Sequence, residues 1–283
     1  MNPGPFQQLR LDVRGRVAHV TIDNAPVNVL GYRLITELKA LLSDLAEDDG
    51  VRVIVFDSAN PDFFIAHVDM TLGEDQEAVG ALMAGAPAGL NPFQALNEQL
   101  RHQPQLTIVK LAGKARGGGA EFVAAADMAF AAKGRAGLGQ VEALLGIVPG
   151  GGGTQYLQER IGRARALEVV LGSELVDADT AERYGWINRA LPADQLDAFV
   201  DQLAENVAAL ADGVVSAAKA AIPPVDLSAG LARESDAWLG LVMQPAAGHL
   251  IVGGLRHGAQ TPDGEQDLEG VLRRLAADPA PAP

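Results

Sequence analysis

Not one cysteine occurs among the 283 residues, so disulfides, thiolate nucleophiles and cysteine-ligated metals are excluded at the outset. Positive charge is also scarce. Against 36 aspartates and glutamates stand 22 lysines and arginines, a formal net charge of −14, and no basic block interrupts the acidic background. Nucleic acid and anionic membrane are therefore poor partners for this chain. Long apolar runs are missing too, since nothing approaches the ~18 consecutive apolar residues of a membrane span. The opening MNPGPFQQLRLD has no basic region ahead of an apolar one. Together with the absent cysteine, this sets the expectation of a cytoplasmic protein with no nucleic-acid or membrane partner. What is present is apolar substance, 48% of the chain, enough for one large domain or one domain with an appendage.

Hydrophobic patterning reads as alternating strand and helix over the first half. Arg16 to Asp23 alternates as a strand. Gly31 to Glu47 places Leu34, Ile35, Leu38, Leu41, Leu42 and Leu45 on one helical face. Val51 to Ser58 and Leu106 to Ala112 are nearly continuous apolar runs, as in strands covered on both faces, and Met128 to Ala132 reads as another strand. The pattern is that of an α/β fold with parallel pairing. Thr71 to Gln105 is long and mixed, broken by Gly85, Pro87, Gly89 and Pro92, and reads as a binding loop or a disordered excursion. From about Gly153 the character turns helical: Thr154 to Ile161, Arg163 to Leu171, Asp179 to Tyr184, Leu196 to Leu210, Ser228 to Met243 and Leu268 to Leu275. WINRAL, after Gly185, is strand-like. The closing AADPAPAP is of low complexity and is expected to be disordered.

The chemistry concentrates in ARGGGAEF, Ala115 to Phe122. No Lys-Ser or Lys-Thr follows the glycines, so this is not a Walker A loop, and the spacing does not fit a dinucleotide fingerprint. Two readings stay open from these residues alone. The glycines let a strand turn tightly into a helix, or they let a substrate approach a backbone N–H at a helix N-terminus, where the dipole favours developing negative charge.

Further segments stand in order around this one: PVNVL at Pro26 to Leu30, FFIAHVDM at Phe63 to Met70, GKARGGGAEFVAAADMAFAA at Gly113 to Ala132, GLGQVEALLGIVPGGGGTQYL at Gly137 to Leu157, and the downstream IGRARALEVVLGSELVDADTAERYGWINRALP. In this order, over about residues 10 to 220, the chain resembles the enoyl-CoA hydratase/isomerase family, also called the crotonase family. The resemblance implies an α/β fold, a crotonase-like spiral of ββα units followed by a C-terminal helical trimerisation region. It divides the chain into a core with an acyl-CoA site at residues 1–200, a helical oligomerisation region at 201–275 and a disordered tail at 276–283. It implies a homotrimer or homohexamer acting on an acyl-CoA thioester, with no metal and no cofactor beyond the coenzyme A carried by the substrate.

The resemblance also implies the site. The thioester carbonyl is expected between the backbone N–H groups of Ala66 and Gly118, with Glu121 and Glu142 as the catalytic carboxyls and Ala66, His67, Val68, Asp69 and Gly118 lining the substrate. A thioester acidifies its α-carbon and makes its β-carbon electrophilic only if the enolate oxygen is stabilised, and each preorganised N–H donor is commonly worth ~3 to 4 kcal/mol. Two carboxyls can then hold one water between them, one accepting its proton while the other serves the α-carbon. Hydration of a 2-enoyl-CoA is the reading this favours. Double-bond isomerisation, which can work with one carboxylate, and a non-catalytic acyl-CoA-binding oligomer remain as alternatives.

Two departures from the family pattern stand out. Where the family commonly reads Ala-Gly-Ala-Asp, this chain reads Ala66-His67-Val68-Asp69. His67 is expected to point away from the reaction, to shape the adenine or thioester pocket, or to transfer a proton directly, and Asp69 to cap a helix that starts at Met70. Asp127 is expected to anchor the turn between helix and strand. The C-terminal segment lacks the family's Lys-Arg pair for coenzyme A phosphates, which leaves Lys114, Arg116 and Arg33 as candidates for that role or as ordinary surface charges.

Overall fold

The computed structural model describes residues 6–277. Strands β1 (Leu9–Arg14) and β2 (Val17–Ile22) form an antiparallel hairpin, and helix α1 (Tyr32–Ala46) follows. All six apolar residues of the α1 stripe are buried. Next come β3 (Val53–Ser58), β4 (Phe63–Ile65), a 3₁₀ turn (Leu72–Glu74), α2 (Gln76–Ala84), α3 (Pro92–Arg101), β5 (Leu106–Leu111), β6 (Lys114–Arg116), α4 (Gly118–Ala125), β7 (Met128–Ala132) and β8 (Gly137–Gly139). A 3₁₀ turn (Glu142–Leu145) leads to α5 (Gly153–Gly172), β9 (Val176–Asp177), α6 (Ala178–Tyr184), β10 (Arg189–Leu191) and α7 (Leu196–Ala208). The chain closes through α8 (Val214–Ala221), α9 (Ser228–Val242), α10 (Pro245–Arg256), a 3₁₀ turn (Gly264–Asp267) and α11 (Leu268–Ala277).

The strands divide between a six-stranded sheet, β1-β2-β3-β5-β7-β10, and a four-stranded sheet, β4-β6-β8-β9. From β2 onward the larger sheet is parallel, as are β4, β6 and β8. Each repeat therefore lays one strand in each sheet before a helix, β5-β6-α4 and then β7-β8-α5, which is the expected spiral of ββα units. All eight residues of α4 are buried, because β4, β6, α3 and α5 pack around it. Its composition of glycine, alanine and single larger residues fits a helix with no solvent face.

The structure corrects several expectations. Thr71–Gln105 is not an open excursion, for it contains α2 and α3, and the residues that suggested breakage mark their ends: Gly85 caps α2 and Pro92 opens α3. Strand β1 and the short strands of the smaller sheet carry too few alternating residues to have been read. The two helices expected either side of Gly162 are present within α5, separated by a kink at Gly162, where φ is +76°. A division at residue 200 falls inside α7, whose buried Val200 and Ala204 belong to the main core. Helix α11 runs two residues into the expected tail, and residues 278–283 lie outside those described. Among the described residues no single helix is long and apolar enough to cross a membrane.

Candidate active site

Glu121 lies in the first turn of α4 and Glu142 opens the 3₁₀ turn after β8. Gly117 joins them. Its N–H donates to the Gly139 carbonyl at 2.9 Å, its φ is +48°, and a side chain there would meet Glu142 Oε1 at 2.5 Å. Only glycine makes this turn and leaves room for the carboxyl. Glu121 and Glu142 are 2% and 8% exposed, so both carboxyls are withdrawn from water. Glu121 Oε1 accepts from Gly151 N at 2.8 Å and Gly153 N at 2.9 Å, while the Gln140 amide, oriented to donate, reaches Glu142 Oε2 at 2.9 Å.

Burial pushes both carboxyls up. Glu142 is raised to about 7, chiefly by desolvation, with the His67 charge opposing it. Glu121 is raised well above the usual carboxylate range by desolvation, then by the charges of Glu142 and Glu234, against the two N–H bonds that favour its ionised form. Mutual repulsion means that the pair gives up its protons in two steps.

The run Pro149-Gly150-Gly151-Gly152-Gly153-Thr154 forms the opposite wall. Successive N–H groups alternate between two carboxylates: Gly151 and Gly153 donate to Glu121, Gly152 and Thr154 to Glu234 at 2.6 and 2.8 Å. Its carbonyls are held as well, Gly150 O by Asn91 Nδ2 and Gly151 O by Asn97 Nδ2, both at 2.7 Å. Asn91, Gln94 and Asn97 are spaced by three, hence on one face of α3, and all are buried. Gln94 reaches Glu234 Oε1 at 3.1 Å.

On the substrate loop, the His67 carbonyl accepts from Leu30 N at 2.8 Å. A trans peptide points its N–H opposite to its C=O, so the Val68 N–H faces away from Leu30. Val68 N lies 3.8 Å from where a Gly118 Cβ would stand, and that Cβ would strike Val68 Cγ2 at 2.5 Å. Among the described residues neither Val68 N nor Gly118 N has a hydrogen-bond acceptor. His67 is buried with both ring nitrogens occupied: Nδ1 against Val68 O at 2.7 Å, Nε2 against Glu265 Oε1 at 2.9 Å. Both partners are acceptors, an arrangement that favours a hydrogen on each ring nitrogen and hence the protonated ring. Its affinity for the proton is raised, because the Glu265 carboxylate and the Val68 carbonyl outweigh the larger opposing cost of burial.

The family model for enoyl-CoA hydratase/isomerase matches residues 12–236. The chain belongs to the enoyl-CoA hydratase/isomerase family. It is 61% identical to a crystal structure of a candidate enoyl-CoA hydratase from Streptomyces avermitilis, with a TM-score of 0.95 over 96% of this chain and 100% of that one. It is 32% identical to the 2,3-dehydroadipyl-CoA hydratase of Escherichia coli K12 and 31% identical to the carnitinyl-CoA dehydratase of Proteus mirabilis HI4320, each over 75% of this chain and 79% of the other.

For a member of the enoyl-CoA hydratase/isomerase family, the placement of the expected residues is mixed. Glu121, Glu142 and Gly118 converge. Ala66 does not offer its N–H, which donates to the Val27 carbonyl at 3.2 Å within a small cluster of Val27, Phe63 and Ala66; the free N–H is two residues on, at Val68. Asp69 Oδ1 accepts from Thr71 N and Oγ1, which ties the turn. Asp127 anchors its turn through Thr107 and Lys219. Arg116 is neither a phosphate ligand nor a surface charge. It is fully buried, with Nε and Nη2 on Glu269 at 2.6 and 3.0 Å and Nη1 near Glu265 at 3.4 Å. Lys114 Nζ donates to Gln266 O and Oε1 at 2.9 and 2.7 Å, and Arg33 stands exposed on α1.

Sequence reasoning missed Glu234 and the polar face of α3. The second had a signal. Asn91-Pro92-Phe93-Gln94 is a capping box, with Asn91 accepting from Gln94 N at 3.0 Å and Gln94 Oε1 accepting from Asn91 N at 3.3 Å.

Proposed function

We propose that the protein adds water across the double bond of a 2-enoyl-CoA to give the 3-hydroxyacyl-CoA. The observation that carries this is the pair of buried glutamates, both with raised proton affinity, beside two backbone N–H groups without an acceptor among the described residues. Val68 and Gly118 N–H receive the thioester oxygen as negative charge develops on it. With one proton on the pair, the carboxylate takes a proton from water as its oxygen bonds the β-carbon, and the carboxylic acid gives its proton to the α-carbon. The pair ends with the same proton count. Relatives named as a hydratase and as a dehydratase support this reading, since those names describe opposite directions of one bond change. We further propose a homotrimer or homohexamer, supported by apolar side chains left exposed on the C-terminal helices.

Glu121→Gln and Glu142→Gln keep side-chain volume but cannot exchange a proton at neutral pH. Each is expected to cut hydration of short enoyl-CoAs by roughly 10² to 10⁴-fold, followed as loss of the conjugated thioester absorbance. The double variant should be little worse than either single one, because the groups act as a unit. Deuterium incorporation at the α-carbon identifies which glutamate serves carbon. Loss of exchange in one variant with near-normal turnover in the other favours isomerisation, and full activity in both refutes the mechanism.

A further inference from the structure

The structure assigns Glu234 a positioning role: from α9 it grips alternate N–H groups of the Gly151–Thr154 turn and so fixes the two N–H groups that hold Glu121. The proposal rests on the hydratase reading of Glu121. Four donors converge on this one carboxylate: Gly152 N, Thr154 N, Thr154 Oγ1 and Gln94 Nε2. Glu234 is 3% exposed, and no cation is paired with it among the described residues. Burial raises the proton affinity of Glu234 itself, against the four donors that favour its ionised form, and a buried charge met only by neutral donors is costly to fold. Merely tying a loop to a helix would not call for one, since neutral side chains such as Asn91 and Asn97 already hold the same turn by its carbonyls.

The charge is felt where the chemistry is. Glu234 and Glu142 both raise the proton affinity of Glu121, and Glu234 also acts on Glu142. The other titratable groups facing this region are His67, which opposes the rise at Glu142, and Tyr156 of α5, which burial keeps neutral. Helix α3 contributes only the neutral amides of Asn91, Gln94 and Asn97 to the turn and to Glu234. Glu234 therefore acts in two ways through one turn of backbone. It aims the Gly151 and Gly153 N–H groups, and it helps keep a proton on Glu121.

Glu234→Gln presents an amide NH₂ where a carboxylate oxygen accepted, so one side of the grip is lost together with the charge. Turnover of an enoyl-CoA should fall by about 10- to 100-fold with KM little changed, as for a small misplacement of a reacting group. The high-pH limb of the rate profile should move to lower pH. A readout that needs no turnover accompanies it: carbon-13 NMR of labelled glutamate carboxyls, with the Glu121 signal identified by its loss in Glu121→Gln, should show Glu121 titrating at lower pH in Glu234→Gln. Thr154→Val removes only the hydroxyl donor and keeps the Glu234 charge, so it should lower turnover by less than Glu234→Gln while the Glu121 signal does not move to lower pH, and wild-type turnover in this variant overturns the positioning role if Glu234→Gln does not fold. Wild-type turnover together with an unmoved Glu121 titration overturns the proposal and leaves the hydratase reading standing. A wild-type protein that hydrates no enoyl-CoA overturns the hydratase reading, and the Glu121 titration still decides whether Glu234 acts on it.

Discussion

Glu142 ionises near 7 in the folded protein and at about 4.3 in an unfolded chain, so the folded state binds the proton more tightly. Its contribution to stability is intact below about pH 4 and is lost as pH rises toward 7, amounting to about 3 kcal/mol at the plateau. On the proposed chemistry, the carboxyl is kept at the expense of the fold. Glu142→Gln cannot ionise and escapes this loss. Between pH 4.5 and 8 the unfolding free energy of the wild type should therefore decline relative to Glu142→Gln by about that amount, measured by denaturant titration at each pH. Parallel pH dependence in the two proteins rules the argument out. The same ionisation sets the acid limb of activity. Hydration should rise with pH through about 7, as the pair loses its first proton, and fall again where Glu121 ionises.

Strand β6, the substrate loop and α11 are pinned together by one buried ionic cluster of Arg116, His67, Glu265 and Glu269. This joins the two departures seen in the sequence. The imidazole where the family commonly has glycine, and the C-terminal segment that lacks the family's basic pair, meet at Glu265. Glu265→Ala leaves His67 and part of Arg116 without their counter-charge and should destabilise the protein by about 3–5 kcal/mol, the usual cost of breaking a buried pair from one side. Chemical denaturation at neutral pH measures it, and a change below about 1 kcal/mol would place the pair among ordinary surface bridges. Much of the first half was readable from pattern because the α1 stripe and the apolar runs of β3, β5 and β7 are decided locally. Glu121, Glu142 and Gly118 were expected only through the resemblance carried by several motifs in order, since the glycine run alone left two readings open. Arg116 was not, since its partners lie 149 and 153 residues away and charge alone does not reveal burial. Ala66 was taken for Val68 because hydrogen bonding, which residue types do not display, decides which N–H of the loop is free.

Apolar surface in the C-terminal helices bears on assembly. Ile222, Val225, Leu239 and Met243 are 81%, 56%, 53% and 75% exposed, whereas Leu231 of α9 is buried in the core. So much exposed aliphatic surface along α9 and in the segment before it calls for a cover, and light scattering at micromolar concentration should report a trimer or hexamer. A strictly monomeric protein would contradict this, while Met243→Glu should shift the distribution toward smaller species if the face is used. The same helices have a temporal consequence. A chain emerging from the ribosome displays Glu121 and Glu142 early, but Glu234, Glu265 and Glu269 come only after about another hundred residues, at the ordinary translation rates of ~5 to 20 residues per second several seconds later. Until they arrive, the glycine turn has no second carboxylate and Arg116 no partner. Glu121 and Glu142 thus lack these partners during synthesis, and on the proposed chemistry the nascent protein should stay inactive until its final helices dock.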